Sequence, residues 1–149
     1  KRYIFVLDVK EELYEEDDGE GYELGLRKLR AKMQQINLPY LYFCNAGVIV
    51  REDTFKMGKL KSSEVYAFVD SVNSGCEGVS TVAASTYLSI YCDDFHQELE
   101  YSQRLLDEIH QKGYRITGDY IYEEIAGVPI IKGNHRDMHY RLQVPICFS

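Results

Sequence analysis

Tryptophan is absent from this 149-residue chain, proline occurs three times, and the four cysteines stand far apart at Cys44, Cys76, Cys92 and Cys147. No CxxC pair exists, and a chain able to build a full core does not need a disulfide framework. The cysteines therefore read as reduced thiols serving as small apolar residues. The longest apolar runs, Tyr3 to Leu7 and Tyr40 to Cys44, fall far short of the roughly 20 residues of a membrane span. The opening run is also too short for a signal peptide. Positive charge is scarce: 17 bases face 24 acids, giving a net charge of −7 and a pI near 5.1. That balance argues against nucleic acid or an anionic membrane as the main partner. A cytoplasmic location is expected.

The surplus is tyrosine, 13 residues beside 6 phenylalanines. A tyrosine needs a wet or hydrogen-bonded end, so this excess asks for more than packing. With 45% apolar residues the chain can bury a real core. Its length suits one domain, 1–149, burying roughly two-thirds of its unfolded surface.

The pattern along the chain reads as strand Lys1 to Val9, then an acidic loop through Asp17-Asp18-Gly19. Tyr22, Leu26, Leu29, Met33 and Ile36 recur at helical spacing, and Asn37 and Pro39 end that helix. Leu41 to Cys44 and Val48 to Val50 read as strand broken by Asn45-Ala46-Gly47. Arg51 to Ser63 reads as loop, Glu64 to Asp70 as an alternating strand, and Ser71 to Ser80 as a turn-rich connection. The order then repeats. Val82 to Cys92 is β-rich, and Asp93-Asp94 offers a cap, with Gln97 and Glu98 in capping-box register. Phe95, Leu99, Ser102, Leu106 and Ile109 mark a helical face that Gly113 stops. Tyr114 to Ile125 reads as strand, Val128 to Asp137 as loop and Met138 to Phe148 as the last strand. The expected fold is α+β, a duplicated β-α-β-β repeat (roughly 1–73 and 80–149). Its antiparallel sheet would carry two helices on one face and a concave ligand site on the other.

Strand residues alternate between faces. Tyr66 and Phe68 oppose Val65, Ala67 and Val69; Tyr87, Ser89 and Tyr91 oppose Leu88, Ile90 and Cys92; Tyr120, Tyr122 and Glu124 oppose Ile121, Glu123 and Ile125. The aliphatic sets are expected under the helices, leaving an aromatic face that holds a carboxylate. Such a floor suits organic cations, through cation–π attraction and charge pairing. Tyrosines covering a half-exposed sheet would look similar. The adjacent acids Glu123 and Glu124 favour the site, because burying a carboxylate is costly unless it is paired. Parity selects Glu124, and one bulge would transfer the role to Glu123.

Several segments resemble the GyrI-like effector-binding domain found in MerR-family and AraC-family transcription regulators and as a stand-alone protein. They are Gly113-Tyr114-Arg115-Ile116-Thr117-Gly118-Asp119-Tyr120 with Ile121 to Ile125, the closing Tyr140-Arg141-Leu142-Gln143-Val144-Pro145-Ile146, and Ala83 to Phe95. Gly47 to Val50 and Tyr66 to Val69 fit more loosely. The resemblance implies two βαββ repeats around a concave site on the sheet side away from the helices. In multidrug-sensing members an acid on the penultimate strand, ringed by aromatics, receives a lipophilic cation. The matching position lies within Glu123-Glu124, with a ring drawn from Tyr66, Phe68, Tyr87, Tyr91, Tyr120, Tyr122 and Tyr140. The implied partners are a cationic aromatic effector, a second copy of the full-length protein, and DNA through an upstream domain. A start at Lys1 rather than Met fits a piece of a longer chain. No cofactor is implied. Two alternatives share the cleft: a hydrolase using a buried Glu as general base, for which some members pair Trp with the Glu and this chain has no Trp, and a gyrase-inhibitor-like interaction domain.

Other constellations carry less. His135 and His139 have metal-pair spacing but sit in loop running into strand without a third ligand. His96 and His110 are expected to face solvent. Gly19, Gly21 and Gly25 lack dinucleotide spacing and follow an acidic run. Cys76 has no evident His or Asn partner. Arg51, Lys56, Lys59 and Lys61 read as a solvated loop.

Overall fold

A computed structural model describes residues 2–14, 20–39, 46–93, 97–132 and 135–148, with backbone alone for 126–139. The acidic run from Glu15, the strand expected over Leu41 to Cys44, Asp94, Phe95 and His96 lie outside those residues. The elements are β1 (Arg2–Asp8), α1 (Glu20–Gln35), β2 (Ala46–Val50), α2 (Glu52–Lys56) and β3 (Glu64–Val69), followed by a 3₁₀ turn (Ser71–Asn73). Then come β4 (Val79–Val82), β5 (Thr86–Cys92), α3 (Glu98–Lys112), β6 (Arg115–Ile116), β7 (Tyr120–Lys132) and β8 (His135–Cys147). The fold is mixed α+β, with three helices and eight strands in one antiparallel sheet that curls into a half-barrel. No helix among the described residues is long and apolar enough to cross a membrane.

The curl follows from chain length. The sheet path runs β4-β1-β3-β2-β7-β8-β5, so β4 and β5 lie at opposite edges. Yet only Ala83, Ala84 and Ser85 join them. A flat seven-strand path would separate its edge strands by roughly 29 Å, whereas four residue steps reach at most about 14 Å. The sheet must bend until the edges approach, and the 83–85 bridge then spans the mouth of its concave face.

Each β-α-β-β passage places its last strand in the middle, β1-β3-β2 in the first and β5-β8-β7 in the second, and the two meet where β2 pairs with β7. α1 packs over β3 and α3 over β5 and β8. α1 buries Tyr22, Leu26, Leu29 and Met33 as its spacing predicts, together with Gly25, whereas Ile36, expected on the same face, lies beyond the helix end and is exposed. Asn37, at φ 58°, turns the chain out of it. α3 ends at Gly113, whose φ of 69° a side chain would strain.

Several local expectations need correcting. The buried stripe of α3 is Glu98, Ser102, Leu105, Leu106 and Ile109, while Leu99 is exposed. Gln97 caps that helix without a side-chain hydrogen bond. The β-rich segment before it is two strands split at 83–85, and β2 runs unbroken through Ala46 and Gly47, where a short helix follows in place of pure loop. Val128 to Asp137 is largely a hairpin, with Lys132 opposite His135.

Candidate functional site

Register decides which side chains meet. Val48 pairs with both Val65 and Tyr122, and Gly47 pairs with both Tyr66 and Glu123. Val65, Val48 and Tyr122 therefore point one way, and Tyr66 and Glu123 the other. The valines pack with α1 and α3 in the main core, so Tyr120, Tyr122 and Glu124 lie on the helix-facing side. Tyr140, opposite Glu124 on β8, joins them. Tyr66, Phe68 and Tyr87 line the concave face with Ile4, Ile49 and Ile121. Tyr91 pairs with Arg141 at the sheet edge and is exposed.

The nine expected residues thus divide between two faces, which corrects the single aromatic face read from alternation. Alternation orders residues within one strand but leaves each strand's phase free. The pairing irregularity of β7 falls between Ile125 and Ile130, beyond the acid pair, so it does not alter Glu123 or Glu124.

Glu123 is fully buried on the concave side. Arg141 Nη2 donates to its Oε2 at 2.7 Å, Arg2 Nη1 lies 3.4 Å from Oε1, and Gln143 Nε2 donates to Oε1 at 3.4 Å. The Arg2 guanidinium stacks on Phe68, 3.5 Å from the ring centroid. Tyr66 reaches across β2 to donate to the Tyr122 carbonyl at 3.1 Å. Gly47 makes that approach possible, since a Cβ there would stand 1.8 Å from the same oxygen.

Glu124 is half-buried on the helix side. Tyr22 of α1 donates its hydroxyl to Oε2 at 2.8 Å. The Tyr22 ring meets Tyr122 edge-on at 5.5 Å, and Tyr122 stacks on Tyr140 at 5.1 Å. Burial pushes the Glu124 carboxyl above its ordinary range, against the Tyr22 hydrogen bond and Arg30. A second carboxylate lies deeper. Glu98, at the start of α3, accepts from the Tyr14 hydroxyl at 2.8 Å and the Tyr120 hydroxyl at 2.9 Å. Its Oε2 is buried with no hydrogen-bond partner among the described residues. Burial raises this carboxyl to about 7, opposed by the two tyrosines. Phe55 of α2 stacks on Tyr120 at 4.7 Å and closes that end.

The sequence reading missed Glu98, Tyr14 and Tyr22. The available clue was spacing: Glu98, Ser102, Leu105 and Ile109 continue one helical stripe as well as Leu99 does. Among the described residues no base forms an ion pair with Glu98 or Glu124. None of the described His, Cys, Asp and Glu residues group in threes fit for a metal. The side chains of His135 and His139 lie outside the described set. His110 and Cys76 are exposed. No protein-family model matches the chain. No curated protein matches it either.

Proposed function

We propose that this chain is a GyrI-like effector-binding domain of a cytoplasmic transcription regulator, sensing lipophilic aromatic cations at the Glu124–tyrosine cluster on the helix-facing side of the sheet. The observation that carries the reading is the contrast within one acid pair. Glu123 is paired with two arginines, whereas Glu124 accepts from the Tyr22 hydroxyl, forms no ion pair among the described residues, feels Arg30 only at longer range, and stands among Tyr22, Tyr122 and Tyr140. An acid held among aromatic rings with no directly paired base attracts an organic cation by charge and by cation–π contact.

In this reading Glu124 meets the cation at the rim, and Glu98 with Tyr14 and Tyr120 forms the floor. The rings are packed closely, so entry requires α1 and Tyr22 to shift. That shift is how differential affinity would reach a dimer partner and an upstream DNA-binding domain. The two β-α-β-β passages are then copies of one repeat, each supplying one wall. Tetraphenylphosphonium tests this by calorimetric titration: it binds, affinity rises with pH as the raised carboxyls ionise, and Glu124→Gln removes binding. Equal binding by the variant overturns the reading.

One observation favours a second reading. A carboxyl titrating near 7 beside two tyrosine hydroxyls has the properties of a general base. A hydrolase would turn over an activated ester with a rate governed by that single group, and Glu98→Gln would abolish turnover.

A further inference from the structure

The concave face, on the other side of the sheet from Glu124 and its tyrosines, carries a cleft with two arginines at one end. A cleft of about 360 Å³ lies there, walled by Phe68, Val82, Tyr87 and Ile121, with Arg2, Arg141 and Gln143 at its polar end. It adjoins a larger cleft of about 600 Å³ that shares Val82, the Ala83–Ser85 bridge, Tyr87 and Ile121. Both volumes are in the range that holds a small ligand.

The charge of the polar end is what selects the occupant. Two guanidiniums face one carboxylate, Glu123, which is wholly buried behind them. One positive charge is left over. Arg141 is about a quarter exposed and Arg2 about half, so their outer N–H groups reach the cleft. Arg2 is held flat on Phe68, which orients its fork. A planar guanidinium presents paired donors that match a carboxylate. The remaining wall is mostly aliphatic and aromatic, with Ser85 and Ser89; the carboxylates Asp8, Glu64 and Asp119, with Arg51, line the adjoining larger cleft.

We propose that this cleft binds a small organic acid, its carboxylate on Arg2 and Arg141 and its apolar body against Phe68, Tyr87 and Ile121 beneath the Ala83–Ser85 bridge. Glu123 acts here as a positioning residue: it holds both arginines at the mouth and does not touch the ligand. The site stands apart from Glu124 and does not depend on the cation reading.

The probe is 2-naphthoate, compared with the neutral 2-naphthalenemethanol, by calorimetry and amide NMR shifts. The acid should bind the wild-type chain at least about tenfold more tightly than the alcohol, from one charge-assisted contact. Shifts should centre on Val82, Tyr87 and Ile121. Arg2→Gln leaves Arg141 and Glu123 as a neutral pair with the fold intact, and it should erase the preference, while Arg2→Lys should keep part of it. Glu124→Gln should leave the acid's affinity unchanged, which separates this site from the Glu124–tyrosine cluster. Equal binding of acid and alcohol, an unaltered preference in Arg2→Gln, or shifts centred on Tyr22 and Tyr122 would each overturn the proposal.

Discussion

Glu123 and Glu124 are neighbours on one strand, yet they occupy different chemical worlds. Glu123 is sealed behind Arg2 and Arg141 on the concave face; Glu124 leans on the hydroxyl of Tyr22 on the helix face. The same residue type, one position apart, is ion-paired with two arginines in one case and, among the described residues, hydrogen-bonded to a tyrosine without an ion pair in the other. A compensated acid is a structural part, and it leaves a surplus of positive charge at its mouth. On the two proposals, the sheet separates a cation-binding cluster around Glu124 from an anion-binding one at Arg2 and Arg141, although the net charge of −7 suggests one acidic surface.

The largest break of this contrast comes from removing a partner of Glu123. Arg141→Ala removes the shorter of the two described ion pairs of a buried carboxylate and should cost about 3–5 kcal/mol in denaturant unfolding. Gly47→Ala should follow closely, costing roughly 2–4 kcal/mol, because its Cβ would collide with the Tyr122 carbonyl that Tyr66 also reaches. Loss of less than about 1 kcal/mol in either would mean that the concave face is far more plastic than its geometry implies.

Glu98 gives a pH-dependent effect of intermediate size. Its folded-state value near 7 exceeds the ordinary 4.5, so the folded chain holds the proton more tightly than the unfolded one. Its contribution to stability is present in full below pH 4.5 and is lost as pH rises towards 7, by about 3 kcal/mol. Glu98→Gln should remove that dependence and gain on the wild type between pH 5 and 8. Parallel Tm curves for the two chains would contradict the assignment. Glu124→Gln is the smallest change in stability, within about 1 kcal/mol, since Glu124 is only partly buried and an amide can still accept from the Tyr22 hydroxyl. Its effect should fall on ligand affinity instead.

Much of the architecture was legible. β1, α1, β3 and the Gly113 stop follow from alternation, helical spacing and a left-handed cap, all local properties. Two things were not local. The phase between strands depends on register, which aligned Tyr66 with Glu123 through Gly47 and turned Tyr120 and Tyr122 towards the helices. The buried face of α3 depends on what covers it, and the Tyr14 and Tyr120 hydroxyls made Glu98 an acceptable inward residue where composition favoured Leu99. Of the expected site residues, Tyr120, Tyr122, Glu124 and Tyr140 on β7 and β8 share the helix-facing side, whereas Glu123, Tyr66, Phe68, Tyr87 and Tyr91 belong to the other face. The split of the β-rich segment at Ala83 was hidden as well, because apolar and hydroxyl residues continue across it.

The most direct test is a thermal-shift titration of tetraphenylphosphonium against three chains: wild type, Glu124→Gln and Arg2→Gln. The account predicts a saturable rise in Tm for wild type and Arg2→Gln and none for Glu124→Gln. A rise retained in Glu124→Gln would contradict it.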